Sequence, residues 1–117
     1  MMPEQYPIFA KFRAIAATNA AAAVKATAGK LRALHVTNRH SAAVFVKFYN
    51  ATQANTTVGT TAPQNIFQVA ANSQVVHRFT EQPVDFATAI TLAVVTGSAD
   101  NDATAAATLP IIEAEVE

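Results

Sequence analysis

The stretch VKATAGKLRALHVTNRHSAAVFVKFYN, residues 24–50, decides the fold. Three short runs rich in β-branched and apolar residues are separated by a glycine turn at Ala28-Gly29 and by a polar turn over residues 38–41. That pattern predicts antiparallel strands, with residues 31–37 pairing back on residues 21–27. In the third run Val44, Val46 and Phe48 alternate with Phe45, Lys47 and Tyr49. Successive side chains of a strand point to opposite faces, so the first three are expected in a core and the second three on a mixed, partly exposed face.

Working outward from there, the same period of two recurs along most of the chain. Residues 8–16 alternate Ile8, Ala10, Phe12 and Ala14 with Phe9, Lys11, Arg13 and Ile15, a strand whose exposed cations discourage edge pairing. Residues 17–28 are alanine-rich, and intrinsic propensity favours helix near residues 20–25. The run is too short for an independent helix, since isolated helices below ~12 residues are marginal in water, so a strand over residues 21–27 is expected. Residues 66–70 and 74–79 flank an Ala-Asn-Ser turn and read as a hairpin. A short strand follows Pro83, and residues 89–96 are apolar on both faces, as a central strand would be. Residues 109–117 set Ile112, Ala114 and Val116 against Ile111, Glu113, Glu115 and Glu117, the pattern of a one-sided edge strand. Residues 50–63 and 97–108 are polar and poor in large apolar side chains, and are expected to be exposed loops.

About eight or nine strands spaced near ten residues apart, with no helix, predict an all-β protein: an antiparallel β-sandwich, jelly-roll-like. At 117 residues the chain fits one domain, expected over residues 8–117, behind an extended arm over residues 1–7 shaped by Pro3 and Pro7.

Composition limits the partners. Hydrophobic residues make up 51% and charged ones 14%, and the formal net charge is zero. Affinity for nucleic acid comes largely from Lys and Arg neutralising phosphates, so no nucleic-acid partner is expected. Weak charge leaves little self-repulsion and favours life in an assembly. Without cysteine there is no disulfide framework and no thiolate. No secretory signal and no run of about 20 apolar residues is present, so a soluble protein made in the cytoplasm, with no membrane partner, is expected.

The segments VKATAGKLRALHVTN and VFVKFYN, together with VDFATAITLAVVTGSADNDATA at residues 84–105, resemble a family of small virion structural proteins of tailed bacteriophages. The shared features are a strand ending in Val-Lys-Ala, a glycine turn, a strand ending in Asn, a Val-Lys-x-Tyr-Asn strand, a strand ending in Thr-Gly and an Ala-Asp-x-Asp-Ala-Thr loop. Ala89 stands where glycine is common in that family. The resemblance implies a β-sandwich capsid decoration or cement protein, bound to the major capsid protein on the outer face of the shell and commonly a homotrimer. It implies a virion location after assembly in the host cytoplasm. A tail or baseplate adaptor or fibre module, and a carbohydrate-binding sandwich, are the alternatives.

No catalytic constellation is legible, and neither an enzyme nor a cofactor is expected. His35, His40 and His77 fall on different segments without carboxylates at ligand spacing, and Ser41 and Ser73 lack the strained elbow of a nucleophile. Asp100, Asn101 and Asp102 offer oxygens but not the offsets of a calcium loop. Phe45, Tyr49, Phe67 and Phe79 fit core packing better than an aromatic platform, with Tyr49 beside Lys47 expected to be the exposed one. The candidate interface comprises Tyr6, Phe9, Lys11, Arg13, Lys47, Tyr49, Glu113 and Glu115. Its opposite charges lie on separate strands, placed either to meet across subunits or to form a solvated face.

Overall fold

The computed structural model describes residues 10–79 and 81–117; the arm over residues 1–7, with Tyr6, and Phe9 lie outside the described residues. Among the described residues nine strands follow in order: β1 (Ala10–Ala14), β2 (Ala22–Lys25), β3 (Gly29–Asn38), β4 (Val44–Tyr49), β5 (Asn65–Val69), β6 (Ser73–Arg78), β7 (Val84–Phe86), β8 (Ile90–Val95) and β9 (Ile111–Val116), with one 3-10 turn at Gln53–Asn55. One sheet has the order β1-β9-β3-β6, with β7 also paired to β3; the other has the order β2-β8-β4-β5. Every pairing is antiparallel.

This order describes a chain folded back on its middle. The partners β4·β5, β3·β6, β2·β8 and β1·β9 form one long ribbon whose bend is the loop over residues 50–64, and the ribbon is wound so that successive pairs fall in alternate sheets. That is the jelly-roll strand order, and the all-β antiparallel sandwich expected from the alternation is what the chain forms.

Three neighbour relations differ from the sequence reading. None of the three runs within residues 24–50 pairs with another: β2 and β4 belong to one sheet and flank β8, while β3 lies in the other. Likewise β5 and β6 are not a hairpin, because the Ala-Asn-Ser turn carries the chain from one sheet to the other. Finally β9 is not an edge; it sits between β1 and β3. Turn residues mark where a chain reverses, and they are equally suited to a hairpin and to an arch between sheets.

The alternation also slips once. A register shift between Leu31 and Ala33, opposite β9, inserts one residue into β3. Leu31 therefore points inward with Leu34 and Val36, although strict parity would place it with Ala33 and His35. The core between the sheets draws on all of these with Val44, Val46 and Phe48 from β4, Ile90, Leu92 and Val94 from β8, and Ile112 and Val116 from β9. Burying each such side chain contributes about 1.5–3 kcal/mol.

Asn38, at the end of β3, ties the two sheets together. It is 2% exposed, and its amide donates to the carbonyls of Ala42, Val69 and Ala70 while its Oδ1 accepts the His40 N–H. The asparagine that closes the strand motif is thus a bolt between β3, the link to β4 and the end of β5.

Candidate functional site

Two outer surfaces carry the residues singled out from sequence. On the outer face of the β1-β9-β3-β6 sheet, pairing registers place side chains in rows: Lys11, Glu115, Ala33 and Arg78 in one, and Arg13, Glu113, His35 and Val76 in the next. Lys11 approaches Glu115 at 3.9 Å, and Arg13 Nη1 donates to Glu113 Oε1 at 2.9 Å. The glutamates of β9 are thus matched by cations of the same chain, and Arg32 pairs with Glu117 one step further on. Exposed pairs of this kind contribute about 0–1 kcal/mol each. Between them is a hollow of about 380 Å³ lined by Lys11, Arg13, His35, Arg78, Glu113 and Glu115, with Phe12 and Ala114 beneath.

The outer face of the other sheet is not open. Residues 97–108 and 50–64 lie across it, bonded down by Thr91 Oγ1 to the Ala51 carbonyl at 2.7 Å, Asn19 Nδ2 to Ala103 at 2.8 Å, and Gln53 Nε2 to Ala21 at 2.9 Å. Gly59, at φ +94°, lets the first loop turn beside the second, where a side chain would strain the backbone and press on Ala103.

Lys47 and Tyr49 lie beneath these loops, both 0% exposed, which corrects the expectation that they form an exposed pair. The Lys47 ammonium donates to the carbonyls of Ala99 and Asp102, so a cation of the chain itself sits where the loop carbonyls converge. Asp102 meanwhile uses Oδ1 to accept the Thr104 N–H at 2.8 Å. That is the local backbone bonding for which loops employ aspartate. The sequence held one sign of this burial: β8 is apolar on both faces, and its neighbour β4 shares whatever covers it.

The Tyr49 hydroxyl is buried without a hydrogen-bond partner among the described residues. Desolvation, with the Asp100 carboxylate adding to it, raises its pKa above the ordinary 10.0. A raised pKa favours the folded state below the unfolded value and withdraws that support as pH climbs from about 10 through the folded value. Tyr49→Phe is expected to stabilise the protein by about 1 kcal/mol, because an orphaned buried hydroxyl is costly, and to flatten the alkaline limb of a Tm-against-pH curve. A variant less stable than wild type at neutral pH would refute the orphaned state.

The histidines are not gathered. His35 stands in the charged face, His40 lies between β3 and β4 with Nδ1 accepting the Thr108 N–H, and His77 packs inside at 5.4 Å from the Phe67 ring. Among the described residues no three of His, Asp and Glu come together as a metal site. The four aromatics likewise make no platform: Phe45 is half-buried on β4, Tyr49 is covered, and Phe67 and Phe79 pack against the core. Among the described residues no helix is long and apolar enough to cross a membrane. Compared with known proteins, the chain matches no family model, no curated protein and no solved structure.

Proposed function

We propose that this chain is a structural component of a tailed-phage particle, a decoration protein that binds the outer surface of the major capsid shell and stabilises it. The observation that carries this reading is the state of the two long loops. Several of their polar groups are bonded to the rest of the chain, with Lys47 clamping one of them from below, so they form a shaped surface that needs little ordering when it meets a partner. Rigid surfaces lose less entropy on association. Repeated over a lattice, many weak contacts of such a surface resist internal pressure by avidity, with no single strong site.

Purified protein added to shells that lack it is expected to bind saturably and to raise the temperature at which they rupture. Binding to isolated tails and not to shells would overturn the capsid assignment in favour of a tail adaptor.

A further inference from the structure

We infer that the open edge of β6 is a self-association site, at which a second copy of this chain adds its own β6 antiparallel about a two-fold axis through Val76. The starting point is how the four outer edges of the two sheets are guarded. β1 carries Lys11 and Arg13, and β2 has only four residues with a register shift at Lys25, the ordinary defences against strand addition. β5 carries no charge, but the only side chain it fully exposes is that of Gln68, so pairing there would cover little apolar surface. β6 is six residues long, has no charge before its last position, and exposes Val76 at 49%.

Main-chain groups and side chains alternate in step along β6. Phe79 N–H bonds the Arg32 carbonyl on β3 at 2.8 Å. Main-chain groups alternate sides along an antiparallel strand, so those of Gln74, Val76 and Arg78 point to the open edge. Side-chain parity puts the same three residues on the outer face, since they lie opposite Thr37, His35 and Ala33. A symmetric pairing brings outward-pointing residues of the two copies opposite one another, which centres on Val75, Val76 or His77 all satisfy, and Val76 is the centre that engages Gln74, Val76 and Arg78 together within the strand. It aligns Val76 with Val76 of the second copy and Gln74 with its Arg78, forming about six main-chain hydrogen bonds.

The side chains suit that register. The two valines cover each other, whereas alone each is exposed. Arg78, which has no acidic partner among the described residues, faces a neutral glutamine rather than a like charge. The contact joins the two β1-β9-β3-β6 sheets into one continuous sheet and removes an open edge from each copy. It differs from the three-fold grouping implied by the phage resemblance, and it stands whether or not the protein belongs to a capsid.

Sedimentation of the full chain at tens of micromolar is expected to give twice the chain mass of 12.3 kDa. Val76→Lys sets like charges across the axis, and is expected to sediment as a monomer with the wild-type circular dichroism spectrum. Directly opposed residues of a hydrogen-bonded pair lie about 5.5 Å apart, within disulfide range. Val76→Cys, in a chain without cysteine, is therefore expected to form a covalent dimer on mild oxidation, and Gln68→Cys on β5 is not. A wild-type monomer or trimer, a dimer that survives Val76→Lys, or equal crosslinking through Gln68→Cys would each overturn the inference. A monomer that still binds shells would overturn it while leaving the proposed function in place.

Discussion

Phe48→Ala is expected to destabilise the protein by about 3–5 kcal/mol, a large share of the roughly 5–15 kcal/mol that holds a domain of this size together. The ring is fully buried on β4, edge-on to Phe67 with centroids 5.7 Å apart and tilted against Phe86 at 6.1 Å. Phe67 comes from β5 in the same sheet and Phe86 from β7 in the opposite one, so Phe48 links the sheets at this point. Truncation removes its own burial and also leaves a cavity that rigid strands on either side cannot close. Chemical denaturation checks the value. A loss below about 1.5 kcal/mol would mean that the surroundings collapse freely, as expected only of a loosely packed site.

Lys47→Ala is expected to cost on the order of 3 kcal/mol, because it strips a charged donor from two covered carbonyls and empties the space filled by the lysine stem. Unlike the Phe48 change, its effect should be local. Thr96 N–H bonds the Thr104 carbonyl and Asp102 N–H bonds the Ala99 carbonyl, each at 3.0 Å, and both bonds belong to the loop that the ammonium holds. Hydrogen exchange at these two amides should accelerate well beyond that of β3, whose amides report on global unfolding. Lys47→Met keeps the apolar stem and should cost less, while still loosening the loop. Unchanged exchange at Thr96 and Asp102 in both variants would show that the loop stands without the lysine. Such a result would also remove the main support for a pre-formed binding surface.

Where the sequence was read correctly, local period carried the information. Val44, Val46 and Phe48 face the core as alternation requires, and so do Ile112, Ala114 and Val116. β8 is buried over its whole length, as its two apolar faces demanded. The candidate interface fared unevenly for a reason that follows from the same rule. Lys11, Arg13, Glu113 and Glu115 share one face as their parity implies, yet β1 and β9 come from opposite ends of the chain, and their being neighbours is not written in either segment. Alternation assigns a side chain to a face; it does not say whether a distant loop later covers that face. Lys47 and Tyr49 were therefore placed on the correct side of β4 and wrongly left in solvent.

By itself, then, the sequence determined that the chain would form strands, which side chains would turn inward together, and where the direction would reverse, because each depends on residues within a few positions of one another. Only the tertiary structure decided which strands pair, which turns are arches between sheets, and which polar side chains are covered. Those outcomes rest on contacts between residues as far apart as Ala10 and Val116, and they are settled by how one long ribbon can wind so that the apolar faces of its two sheets are buried against each other.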